Sequence, residues 1–236
     1  MLPIQSSLRA IASSENAQVS ARFFKSGPGE YGEGDIFLGI PVPNTRKIVN
    51  QYLGEMDLEK VEILLQSPYH EERLAGVLTL VAWAKKEKYP IKQLAEFYMN
   101  HRENINNWDL VDTSAEHIVG PYIEKSLTHE EGVKLIDDCI ASSHLWTNRI
   151  IILASFYQIK KGNEKLTFSI VPRFLSHPHD LMHKACGWML REVGKRVSEN
   201  KLCEFLDEYA TRMPRTMLRY AIERLDTEKK TKYMKR

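Results

Sequence analysis

Residues 70–83, HEERLAGVLTLVAW, decide the fold class. A polar opening leads into Leu74, Val77, Leu78 and Val81, spaced by three and four as on one face of a 3.6-residue helix. The same shape returns in NNWDLVDTSAEHIV (106–119), SSHLWTNRIIILASFYQIKK (142–161) and HPHDLMHKACGWMLREVGKR (177–196), each a polar start followed by a helix carrying Trp or Arg. Asp112, Arg149 and Trp188 mark the recurrence at intervals of 37 and 39 residues. That spacing fits the period of about 35–45 residues of helix-pair repeats of the HEAT kind. Shorter amphipathic stretches at 58–66, 91–101, 129–140, 166–175 and 201–211 supply the partner helices, and residues 215–225 a last one. Ser67-Pro68, Tyr89-Pro90, Gly120-Pro121, Gly162-Asn163, His177-Pro178 and Met213-Pro214 punctuate the helical runs. Alternating Val/Ile/Thr runs are scarce. The expectation is an all-α chain of HEAT-like helix pairs forming one domain over residues 1–236. The pairs stack into a curved right-handed solenoid with a concave basic groove, and the basic tail at 227–236 frays.

Composition narrows the function classes. With 43% hydrophobic and 27% charged residues and a net charge of +2, the chain is too apolar and too balanced to be disordered. Three cysteines cannot close a set of disulfides, and Cys139, Cys186 and Cys203 sit singly in apolar helical patterns, as core residues do. The opening MLPIQSSLRAIASSENAQ has no long apolar run, and no window reaches the ~18 apolar residues of a membrane span. The expectation is a soluble, cytoplasmic protein with reduced thiols and no membrane partner.

Several motifs invite chemistry. GPGEYG at 27–32 matches a dinucleotide-binding glycine pattern, but no strand precedes it and Glu30 and Glu33 would repel phosphate, so it reads as a loop between helices. Asn44 or Thr45, just after it, is placed to cap a helix. His179 and His183 are four apart, a zinc spacing, yet the further ligands are missing and residues 178–180 look like a helix start; no metal is expected. Trp108 and Asp112 are also four apart and share a helix face, with Asp109 turned about 100° away. Two readings are open: an acid that pairs while the indole fills the core, or a carboxylate held beside an aromatic wall, where a cation is stabilised. Trp146 and Arg149 at i,i+3, then Trp188 and Arg191, repeat the aromatic-plus-charge theme. Basic residues nearby, among them Lys160, Lys161, Lys184 and Arg196, would line a phosphate track or simply be solvated.

From about Ala21 to Leu225 the chain resembles the AlkD family of DNA alkylation-repair glycosylases, which are built from HEAT-like repeats. The carriers are GEYGEGDIFLGIPVP (29–43) followed by Arg46, then WDLVD (108–112), LWTNRIIIL (145–153) and GWMLRE (187–192). The resemblance implies that Asp112 is the catalytic carboxylate. It implies that Trp108 and Trp188 pack against the deoxyribose of the damaged nucleotide, and that Arg149 grips the DNA backbone. Phe23 falls where some members carry a tyrosine, so a hydroxyl is absent here. Arg46, Lys184 and Arg191 are the further candidate DNA contacts. The implied activity is hydrolysis of the N-glycosidic bond of 7-methylguanine and 3-methyladenine in duplex DNA, by a monomer, without base flipping, cofactor or metal. The alternatives are a non-catalytic HEAT-like protein binding damaged or branched DNA, and a protein-binding helical scaffold.

Overall fold

Ser13, Asp57, Thr128, Ser198 and Asp226 each accept a backbone N–H from the helix that follows, which fixes where five of the helices begin. The computed structural model describes residues 1–235; residue 236 lies outside them. The first helices are α1 (Pro3–Ala10), α2 (Ser14–Phe23), α3 (Val42–Tyr52), α4 (Leu58–Leu65), α5 (His70–Lys85), α6 (Ile91–Asn100) and α7 (Trp108–Lys125). They are followed by α8 (His129–Ala141), α9 (Leu145–Ala154), α10 (Phe156–Ile159), α11 (Lys165–Ile170), α12 (Asp180–Arg196), α13 (Glu199–Tyr209), α14 (Arg215–Ala221) and α15 (Thr227–Met234). Among the described residues the only β pairing is one isolated parallel bridge between Ile36 and Tyr69, so the fold is all-α. Two compact units divide the chain, residues 1–114 and 115–236, and the division falls inside α7.

The helical periodicity located most elements to within a few residues. Three details differ. The 142–161 segment breaks at Ser155 into α9 and α10, where the Ser155 hydroxyl donates to the Ile152 carbonyl at 2.7 Å. The 166–175 segment tightens into a 3-10 turn at Val171–Phe174, where Pro172 lacks the N–H an α-helix would need. Helix α3 starts at Val42 behind Pro41, so neither Asn44 nor Thr45 caps it, and Thr45 is buried inside the helix.

In the first unit α4 and α3 pack on α5. Leu74, Val77, Leu80 and Trp83 of α5 are at most 2% exposed. Its first turn is buried as deeply although it is wholly polar: His70, Glu71, Glu72 and Arg73 are 0–4% exposed. A buried charge is tolerated only when its partners compensate it, and each of these four is hydrogen-bonded. The Glu71 carboxylate accepts the backbone N–H groups of Leu38, Gly39 and Ile40 at 2.8, 2.8 and 3.1 Å. Glu72 accepts from Gln5, Ser67 and Arg9 at 2.6, 2.7 and 2.7 Å, which anchors α1. Arg73 donates to the Ser67 carbonyl at 3.0 Å and pairs with Asp35. His70 bridges two acids, Nδ1 to Asp35 Oδ2 at 3.0 Å and Nε2 to Asp109 Oδ2 at 2.8 Å. Gly39 is required where it stands. Its φ is +76°, and a Cβ there would lie 2.2 Å from the Ser13 carbonyl oxygen.

In the second unit α12 packs on α9, α13 and α14. Gly187 permits the close approach of α14, since a Cβ would fall 2.4 Å from the Met217 carbonyl oxygen. The expected frayed tail is corrected through residue 234. Residues Thr227–Met234 form α15, Tyr233 is 0% exposed with its hydroxyl donating to the Cys203 carbonyl at 3.1 Å, and Lys229 reaches Glu199 at 2.6 Å. One aromatic anchor outweighs the basic composition that suggested fraying. Residue 236, the end of that tail, is outside the described residues.

Burial alone would lower the pKa of His70, but the charges of and hydrogen bonds to Asp109 and Asp35 outweigh it and raise the value from 6.5 to about 9. The protonated imidazole thus stabilises the fold fully below pH 6.5, and that contribution is lost as pH rises through 9. Urea unfolding at pH 6.5 and pH 9.5 is expected to give a stability lower by about 3 kcal/mol at the higher pH. Equal or greater stability at pH 9.5 would show that His70 is neutral in the folded protein.

Candidate active site

Helix α7 begins at Trp108 because Asn107, 0% exposed, stops the preceding chain there. Its Oδ1 accepts the Trp108 N–H at 2.9 Å, and its Nδ2 donates to Asp35 Oδ2 at 3.2 Å. The next residue, Asp109, is held by His70. The first turn of α7 is therefore tied to α5 and to the 35–40 segment before it presents any functional group. Leu110 and Val111 point into the core at 0% exposed, while Trp108 and Asp112, one turn apart, are only half-buried.

An aromatic stack supports Trp108. Its ring lies on Phe24 at 5.2 Å and 25°, Phe24 lies on Phe37 at 5.2 Å and 14°, and Phe37 lies on the His70 ring at 4.7 Å and 28°. Phe23 stands in solvent, 63% exposed, with its ring edge-on to Trp108 at 5.8 Å. Asp112 is near enough to the buried Tyr98 hydroxyl that its charge adds to burial in raising the Tyr98 pKa; that hydroxyl bonds Ser114 at 2.8 Å. The first unit therefore brings together Phe23, Trp108 and Asp112: two aromatic rings and a carboxylate, a setting that favours a positively charged, partly apolar group. Arg46 lies elsewhere, exposed on α3 in a shallow recess with Asn50 and Lys85.

Glu30 and Glu33 explain the glycine-rich loop. Glu30 accepts the Gly27 N–H and Glu33 the Gly29 N–H, each at 3.0 Å, so carboxylates take amides that a phosphate would need. The loop folds on itself and leads to Asp35.

The second unit carries the remaining candidates. Helix α9 is buried on all sides, with Trp146 at 4% and Arg149 at 5% exposed. The Arg149 guanidinium donates to the Leu181 carbonyl in the first turn of α12 at 2.6 Å. Trp188, two turns further along α12, is half-buried and tilts against Phe156 at 6.0 Å. Lys160 and Arg196 lie 4.7 and 5.3 Å from the Phe156 ring centre. Several of the candidate phosphate-binding cations are already paired: Lys184 with Asp180 at 2.8 Å, Arg196 with Glu192 at 2.6 Å, Lys160 with Glu116, Lys161 with Glu124, and Arg191 with Glu223. Any phosphate reaching these cations competes with a carboxylate. The histidines form a hydrogen-bonded helix start. His179 Nδ1 accepts the Leu181 N–H at 3.1 Å, His177 meets Asn148 at 3.2 Å, and His183 meets the His177 carbonyl at 2.6 Å. Burial first, then the neighbouring charges of His183 and Arg149, hold the His179 pKa below its usual value.

Sequence reasoning missed Asp35, His70, Asn107, Asp109 and Phe24. One signal was present: four consecutive charged or titratable residues opening a helix that is otherwise apolar on every side.

Among curated proteins no relative matches the chain. A solved structure described as a "Predicted DNA alkylation repair enzyme" from Enterococcus faecalis superposes with a TM-score of 0.71 over 92% of this chain and 97% of its own, at 17% identity. That likeness speaks to the fold. The family model for the DNA alkylation repair enzyme matches residues 4–225, and on that match the chain belongs to the DNA alkylation repair enzyme family.

Proposed function

We propose that this protein is a monofunctional DNA glycosylase that hydrolyses the N-glycosidic bond of cationic N7- and N3-alkylpurines in duplex DNA. The observation that carries the reading is the half-buried carboxylate of Asp112 one helical turn from the Trp108 indole, with Phe23 exposed beside it. Membership of a DNA alkylation repair family supplies the substrate class. Helix-pair repeats of the HEAT kind are the scaffold assigned to this activity, and the protein acts as a monomer.

The chemistry asks little of the protein. A purine alkylated at N7 or N3 already carries a positive charge, so the C1′–N9 bond breaks with its electron pair going to the base, which departs neutral. No general acid is needed. Positive charge moves onto the sugar, as in glycoside hydrolysis. Asp112 stabilises that charge and orients the water whose oxygen bonds C1′; the water's surplus proton passes to the carboxylate and then to solvent. The Trp108 face, and Trp188 as the second assigned indole, pack on the sugar and attract it more strongly as it becomes cationic. Arg149, with Arg46, Lys184 and Arg191, is assigned to backbone phosphate. The reaction is worked on the sugar from outside the helix, so the base need not leave the stack.

Removing one preorganised electrostatic group costs about 10²–10³ in rate. Asp112→Asn is expected to lose that much single-turnover release of 7-methylguanine from methylated duplex while its affinity for DNA stays within about threefold of wild type. A variant excising at the wild-type rate would remove Asp112 from the mechanism. The aromatic contribution is graded. Trp108→Ala is expected to slow release about 10–30-fold and Phe23→Ala about 2–5-fold, in line with cation–π energies; a larger loss at Phe23 than at Trp108 would reverse the assignment. No lysine is placed as a Schiff-base nucleophile in this reading, so denaturing gels of nuclease-free reactions should show intact strands bearing abasic sites until alkali is added. Cleavage by the enzyme alone would contradict the monofunctional assignment.

A further inference from the structure

The buried bridge Asp35–His70–Asp109 does more than hold two segments together. Asp35 has three partners: His70, Arg73 and Asn107. Asp109 has one. Its Oδ2 meets His70, and its Oδ1 is buried with no hydrogen-bond partner. The direct hydrogen bond between the first turn of α7 and α5 therefore runs through a single ring nitrogen.

A neutral imidazole has one N–H and one lone pair. Set between two carboxylates, it donates to only one of them and presents a lone pair to the other. Asp35 keeps Arg73 and Asn107 in either case; Asp109 keeps nothing when the remaining N–H is on Nδ1, and when it is on Nε2 the bond to Asp109 loses its charge assistance. A protonated imidazole donates to both. The groups facing His70 are Asp35 from the loop, Asp109 from α7, and the rings of Phe24 and Phe37; Arg73, on its own helix, is committed to Asp35.

Asp109 lies next to Trp108 and about 100° around the helix from it. Holding Asp109 fixes the rotation of α7 about its axis, and with it the aim of Trp108 and Asp112. A rotation of about 10° moves an atom ~6 Å from the axis by ~1 Å, and a 1 Å misplacement of a reacting group costs about 10²-fold.

We propose that His70 and Asp109 are positioning residues for base excision: the protonated His70 clamps Asp109 and so aims Asp112 and Trp108 at the damaged nucleotide. The proposal rests on the glycosylase reading. Its consequence is an alkaline limb in the rate, set by deprotonation of a group that never touches DNA. The raised pKa of His70, about 9, places that limb near the top of the working range.

The test is single-turnover release of 7-methylguanine from methylated duplex between pH 6 and 9.5, corrected for spontaneous release, with circular dichroism and affinity for undamaged duplex followed in parallel. Wild type is expected to hold its rate to about pH 8 and to fall as pH approaches 9 and beyond, with the fold intact. Asp109→Ala is expected to lose about 10–100-fold in rate at pH 7 with affinity for undamaged DNA retained. Asp109→Asn should recover at least tenfold of that loss and should lack the limb, because an amide accepts from a charged imidazole and donates to a neutral one. Should Asp109→Ala fail to fold, the profiles of wild type and Asp109→Asn decide. A flat wild-type profile, a limb kept in Asp109→Asn, or an Asp109→Ala as fast as wild type overturns the inference while leaving the glycosylase reading in place. A wild type that releases no base at any pH overturns both.

Discussion

Four adjacent polar side chains at the start of α5 need partners away from water, and between them they reach α1, the 35–40 segment, Ser67 and the first turn of α7. His70 takes Asp35 and Asp109, Glu71 takes three backbone amides of residues 38–40, Glu72 takes Gln5, Arg9 and Ser67, and Arg73 takes Asp35 and the Ser67 carbonyl. Compared with well-packed apolar side chains such groups add little net stability, since their desolvation offsets most of what pairing returns. Their value is specificity. If any segment were displaced, a charge would be left buried and unpaired, at a cost of several kcal/mol. That penalty places α1, the 35–40 segment and the first turn of α7 with an accuracy that apolar packing alone would not enforce.

The candidate site inherits this accuracy. Trp108 rests on Phe24, Phe24 on Phe37, and Phe37 on the His70 ring, so the indole is the outermost plane of a stack founded on the same histidine. One turn along, Asp112 is half-buried near the Tyr98 hydroxyl. A rigid carboxylate beside an aromatic plane suits a reaction whose only electrostatic demand is charge arriving on a sugar. In the proposed reaction preorganisation matters more than acid strength, because the cationic base would leave without a proton.

Periodicity located most of the helices, because apolar residues at three and four are the direct signature of a buried face. The i,i+4 spacing of Trp108 and Asp112 placed both on one face of α7. The support beneath them was hidden. HEER at 70–73 reads as an exposed polar start, and, Ser67 apart, the partners that make its burial possible lie 31–67 residues away in sequence. Long-range pairing is equally invisible at Arg149, whose accepting carbonyl lies 32 residues on. The tail misled in the opposite direction: its lysines dominate the composition, while the buried Tyr233 anchors it and Lys229 pairs with Glu199.

The central claim is geometric, and a crystal structure of the protein on duplex DNA holding a non-hydrolysable cationic purine analogue tests it most directly. The claim requires the Asp112 carboxylate within about 4 Å of C1′, where its field on a developing cation is strong, the Trp108 ring against the deoxyribose, and the modified base still stacked in the duplex. A complex with Asp112 turned away from the sugar, or with the base swung out into a protein pocket, would contradict it.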